Sequence, residues 1–165
     1  MRSVAMLLVL LLMGALTPAA WATETTTPGG DDPHAKTHHH NRHAALFIGQ
    51  TRHHGHNTFT LGGDVAYRFK AFHHRLSGGA FIDATFGDSQ HTIVGPALFI
   101  HPLSHLKVMV APAVEFKKGH SHTIFRAGIG YDVSVGGLAL TPAYNIDFIG
   151  GEAVQVYGLT LGIGF

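Results

Sequence analysis

The stretch VQVYGLTLGIGF, residues 154–165, decides the fold. Tyr157, Leu159, Leu161, Ile163 and Phe165 alternate with Gly158, Thr160, Gly162 and Gly164. A period of two residues belongs to a β-strand, here with one oily face and one small or polar face. A soluble domain has little reason to end on such a strand with its last carboxylate on Phe. A strand that closes a transmembrane barrel does: lipid takes the apolar face, and closure leaves no unpaired edge.

The other end of the chain agrees with export. Arg2 precedes an apolar run from Val4 to Leu16, then Pro18 and Ala20-Trp21-Ala22. A basic start, a short apolar core and an A-x-A site predict a signal peptide over 1–22. With no Cys in the chain, neither a lipid anchor, a disulfide framework nor a thiolate metal site is expected. Charged residues are only 13% of the sequence, too few to clothe a soluble domain of this size. Past the leader no apolar run reaches the roughly 18 residues a spanning helix needs. Low charge without helical spans is the composition of a barrel that faces lipid. A net charge of +1 also argues against nucleic acid, which needs a basic footprint.

Residues 23–43 carry almost no apolar side chains and predict a disordered, His-rich periplasmic segment. Residues 44–165 predict the barrel domain. About 120 residues over eight strands leave about 15 for each strand and its connection, which suits strands of about 9–11 residues. The fold class is therefore all-β, an eight-stranded antiparallel transmembrane β-barrel. Alternation places Phe59, Val65, Tyr67, Phe86, Phe116, Phe125, Tyr131, Tyr144 and Phe148 outside. It leaves the facing of 44–51 and 91–100 open. An even strand number puts both termini in the periplasm, with outer loops near 52–57, 87–91, 117–122 and 149–153. Pro96, Pro112 and Pro142 fall inside strands, where a missing N–H has no edge to hide on; bulges there would resolve the conflict.

The inward set carries Asp64, Arg68, Asp83, Lys107, Glu115, Arg126, Asp132 and Asp147. Eight strands enclose a lumen just wide enough for side chains, so these charges predict a packed ion-pair network. A two-residue turn at Gly136-Gly137 sets Arg126 opposite Asp147. A hairpin centred between His120 and Ser121 would set Glu115 opposite Arg126 as well. Lys107 and Asp132 come out as diagonal neighbours.

Fifteen histidines outnumber the 11 Lys and Arg residues. His34, His38, His39, His40 and His43 lie on the N-terminal segment; His54, His56, His120 and His122 lie near outer turns. Neutral imidazole is a good ligand for Zn, Cu or Ni. In extended chain His54-x-His56 and His120-x-His122 each point both rings one way. These nine residues are the candidate metal ligands. The bland alternative is that loops must be polar and His serves, with no cofactor at all.

The tail of alternating residues resembles the C-terminal signature of bacterial outer-membrane barrels. Taken with the signal peptide and the strand pattern over about 44–165, the chain resembles the small OmpA-like and opacity-protein-like barrels. The resemblance implies a monomer in the outer membrane of a Gram-negative bacterium, in contact with lipid and lipopolysaccharide. It also implies that Tyr157, Leu159, Leu161, Ile163 and Phe165 signal to the barrel-assembly machinery. A non-catalytic structural or surface-interaction role is the first expectation, and metal binding the alternative. A further alternative is lipid A acyl transfer or deacylation, with Asp88, Ser89 and His91 imitating the reactive groups of such barrels.

Overall fold

The computed structural model describes residues 41–70, 75–87 and 90–164. The expected signal peptide, most of the His-rich segment, Asp88, Ser89 and Phe165 lie outside the described residues. Nine strand segments follow in order: β1 (Arg42–His53), β2 (His56–Arg68), β3 (Leu76–Phe86), β4 (His91–Leu103), β5 (Leu106–Lys117), β6 (His120–Tyr131), β7 (Val133–Val135), β8 (Leu138–Ile149) and β9 (Glu152–Gly164). Each pairs antiparallel with its sequence neighbour, except that β6 reaches past β7 to β8. β1 pairs with both β2 and β9, which closes the sheet. β6 and β7 are one barrel strand interrupted at Asp132, since Gly130↔Ala143 and Val133↔Leu140 share a single register. The result is a closed eight-stranded barrel.

β1 begins at Arg42, so Arg42 and His43 belong to the barrel and not to the expected disordered segment. His43 pairs with Ala66 on one side and Gly164 on the other. Pairing on both sides fixes His43, and pairing with Tyr67 fixes Arg42, despite their polarity.

The connections are short. At the end away from the termini, β1–β2, β5–β6 and β8–β9 join through His54-Gly55, Lys118-Gly119 and Gly150-Gly151, all with positive φ. Two-residue turns with φ positive at both positions match the right-handed twist of the strands they join. The Lys118-Gly119 turn corrects the expected centre between His120 and Ser121. Lys117 pairs with His120, so Glu115 faces His122 and Ala111 faces Arg126. Glu115 is therefore not opposite Arg126. The Asp147↔Arg126 pairing stands as the Gly136-Gly137 turn requires.

The prolines are accommodated without bulges. Between β4 and β5 the rungs Val94↔Val114 and Leu98↔Val110 are in step, and only the three between them lapse. That register sets Pro96 against Pro112. Two residues that would exchange a pair of N–H···O bonds both lack the donor, so the loss is confined to one ring of the ladder. Pro142 behaves likewise: its register partner is Tyr131, beside the interruption between β6 and β7. All three rings point outward and are exposed.

Parity along the strands then separates two surfaces. Phe59, Val65, Phe116, Phe125, Ile129, Phe148, Leu159, Leu161 and Ile163 are exposed apolar residues on the outside. β4 resolves in favour of Ile93, Ala97 and Phe99 inside, with Val94, Leu98 and Ile100 outside. Ile82 and Ala84 hold the outward parity but are buried, Ala84 between the larger Leu61 and Thr92. Aromatic rings collect near both ends: Phe59 against Phe86 and Phe125 against Phe148 at the far end, Tyr67 against Phe69 at the terminal end. Tyr144 and Tyr157 instead face each other at mid-strand, so the tyrosines form only part of the girdle.

Candidate functional site

The lumen holds the polar chemistry. Arg126 on β6 is 2% exposed and bonds carboxylates from two other strands. Its Nε donates to Asp147 Oδ1 at 2.5 Å and its Nη2 to Oδ2 at 2.8 Å, a parallel two-bond fork. Nη1 donates to Asp83 Oδ2 on β3, across the barrel. The guanidinium also lies over the Phe81 ring, 4.6 Å from its centre. The clamp of one Arg by two carboxylates is present, with Asp83 in the place assigned to Glu115. Strand adjacency hid this, because Asp83 and Arg126 meet through the lumen and not along a ladder.

The sequence makes room for that contact with glycine. Gly62 is opposite Asp83 on the β2–β3 ladder, and a methyl group there would collide with the Asp83 carboxylate. The glycines of the C-terminal tail act the same way at the closing seam. Gly49 and Gly158 face each other under the Phe47 ring, and Gly162 leaves space for the His43 imidazole. Small residues on the inward parity are what a narrow lumen containing large side chains demands.

A second set lies toward the far end. Thr51 and Thr60 hydroxyls are 2.7 Å apart, Thr60 and Thr85 3.3 Å, and Thr85 lies 3.2 Å from His91 Nε2. His91 Nδ1 in turn is 3.8 Å from Glu115 Oε1. The chain crosses five neighbouring strands. Toward the terminal end, His43 Nδ1 is 3.3 Å from Asp64 Oδ2, and Thr141 donates to Asp132 at 2.6 Å. Lys107 is diagonal to Asp132 as expected, but its ammonium is set over the Phe99 ring at 5.3 Å. Arg68 is half-buried at the end of β2. The space left among these groups is a cavity of about 40 Å³ lined by Phe47, Asp64, Phe81, Lys107 and Arg126, among others. That is space enough to admit water.

The histidines divide by place. His34, His38, His39 and His40 lie outside the described residues. His43 leaves the segment set, because it is a lumenal residue beside Asp64. His54 does not converge with His56 in the expected way: it occupies the turn, with φ of 48°, while His56 opens β2. It meets His53 and Glu152 instead. His53 Nε2 and His54 Nε2 lie 3.0 and 3.4 Å from the same Glu152 Oε2. The two rings hold the exposed Glu152 carboxyl below the usual carboxylate range, the hydrogen bond from His53 being the largest cause. Among the described residues this is the group of three His or acidic side chains with converging ligand atoms; His56, His120 and His122 are not part of one. A search for His-x-His in extended chain passes over His53 and Glu152. The signal was in the turns, His54-Gly55 and Gly150-Gly151, which bring the two rim positions together.

No family model matches the chain, and no curated protein does. Solved structures do. Neisserial surface protein A is similar over 75% of this chain and 96% of its own, with 9% identity and a TM-score of 0.49. The Yersinia pestis outer membrane protein Ail, in a phospholipid bilayer nanodisc, is similar over 74% and 99%, with 10% identity and a TM-score of 0.49. A de novo designed transmembrane β-barrel is similar over 75% and 94%, with 18% identity and a TM-score of 0.52. The likeness to the designed barrel speaks to fold alone, and it agrees with the strand order and closure: this chain has the fold of a small eight-stranded transmembrane β-barrel.

Proposed function

We propose that the protein is a monomeric, non-catalytic barrel of the Gram-negative outer membrane, with its lumen closed by an ion-pair plug. One observation carries the reading: apolar side chains are exposed around the outside while Arg126, Asp83 and Asp147 are buried on the axis. Water would favour the opposite arrangement; lipid favours this one. The terminal end then faces the periplasm, where the leader would deliver the chain. The far end, with its three two-residue turns, faces outward. Lipid and lipopolysaccharide cover the exposed side chains, and the alternating tail is what the assembly machinery would engage. Turns this short offer little area to a macromolecular partner, which supports a structural role over loop-mediated adhesion. Asp83 and Asp147 are committed to Arg126, which supports a structural and not a catalytic use of these two buried carboxylates.

The test is electrical. Reconstituted in a planar bilayer, the protein is expected to give no conductance steps, because a lumen filled by paired side chains has no continuous water path. Regular ohmic steps from the parent protein would overturn the plug. Folding to a stable soluble monomer without detergent or lipid would overturn the membrane reading itself.

A further inference from the structure

The outer rim carries a site that the lumen does not explain. We infer that His53, His54 and Glu152 bind one divalent transition-metal ion, with Zn²⁺ as the reference ion, across the seam where the first and last barrel strands meet. His53 ends β1 and Glu152 opens β9. The last rung of that seam is Arg52↔Gln155, so the three residues sit just beyond it. Consecutive residues in a strand point to opposite faces, which would separate two adjacent imidazoles. The φ of 48° at His54 breaks that alternation and folds its ring back beside His53, with 4.1 Å between ring centres.

The two distances to Glu152 suit the ion. Four ligands at about 2.0–2.1 Å in a tetrahedron stand about 3.3–3.4 Å from one another. The Glu152 oxygen is 3.0 Å from one Nε2 and 3.4 Å from the other, and all three ligand atoms lie within 4.8 Å of each other. Two imidazole nitrogens and one carboxylate oxygen suit Zn²⁺, which takes both ligand types. Their exposure, 37% for His53, 68% for His54 and 58% for Glu152, leaves a fourth position to water or an external ligand. A bound ion would also clip β1 to β9 at the open end of the closing ladder.

The N-terminal histidines would bind metal on their own account, so the test uses the full mature chain carrying His34→Gln, His38→Gln, His39→Gln and His40→Gln. Calorimetric titration of this protein in detergent with Zn²⁺ is expected to show one equivalent bound. His54→Asn keeps a residue that tolerates positive φ, and Glu152→Gln keeps size and shape. Each is expected to weaken Zn²⁺ binding about tenfold or more, since loss of even an outer hydrogen-bond partner costs that much. His120→Gln is expected to leave it unchanged. Co²⁺ in place of Zn²⁺ should give the strong visible absorption of a four-coordinate ion, lost in both rim variants. Absence of binding, an affinity unaltered by either rim variant, or a loss in only one of them would each overturn the three-ligand site.

Discussion

On β9, Leu159 leaves 44% of its surface exposed and Thr160 only 5%, although one peptide bond separates them. Leu159 lies beside Ile48 and Pro142 on the outside of the barrel. Thr160 lies inside, between Phe47 and Thr141. The long strands repeat this division at most positions, and parity sets which surroundings a side chain meets. Inside, a charge is tolerated when others answer it and a small residue is needed where space runs out. Outside, size is unconstrained and charge is excluded except at the rims, where Arg42 and Arg52 stand. The energetic rules for the two faces are opposite, and substitutions can be chosen to break either one.

The largest effect is expected inside. Arg126→Ala removes the cation that two buried carboxylates share. Leaving such charges unanswered costs about 3–5 kcal/mol, measurable by denaturant unfolding of the protein in lipid vesicles. Adding Asp83→Asn and Asp147→Asn to Arg126→Ala should recover much of that loss, because neutral amides no longer need the guanidinium. An Arg126→Ala protein as stable as the parent would show that water, not Arg126, solvates the lumenal carboxylates.

The exterior comes next. Leu159→Arg places a cation near mid-height on the lipid face, where arginine costs about 2–4 kcal/mol. The same measurement in detergent micelles, whose thinner and more adaptable apolar layer admits water, should show a smaller loss. Equal stability of Leu159→Arg and parent in vesicles would put this face out of lipid.

Parity was legible in the sequence because it needs only the identity of alternate residues. Leu159, Leu161 and Ile163 against Thr160 and Gly162 leave a single assignment. The Arg126↔Asp147 pairing was legible for a related reason: Gly136-Gly137 admits one tight turn, and counting outward from it is arithmetic. Contacts across the lumen were not legible. Asp83 reaches Arg126 over the barrel axis, and no ladder counting connects β3 with β6. The same blindness hid Glu152 from His53, since β1 and β9 become neighbours only on closure. Misplacing the Lys118-Gly119 turn moved Glu115 by four positions relative to β6, which shows how completely register depends on the turn.

The smallest expected effect distinguishes a gap in a ladder from a bulge. A bulge would hold an extra residue out of register, and replacing its proline would disturb the local pairing. Pro96 and Pro112 are instead in step with their flanking rungs, so only donors are missing. Pro96→Ala restores an N–H that points at the Pro112 carbonyl. The regained bond contributes about 0.5–1.5 kcal/mol, and the added freedom of the unfolded chain offsets about 0.4–1 kcal/mol of it. The net change in stability should lie within about 1 kcal/mol of zero. The discriminating readout is therefore hydrogen exchange: in Pro96→Ala, the newly introduced amide should be as protected as those of Val94 and Leu98. Free exchange of that amide would mean that the strands part at this point, and that the outward proline rings mark an opening in the wall instead of a single unbonded ring within it.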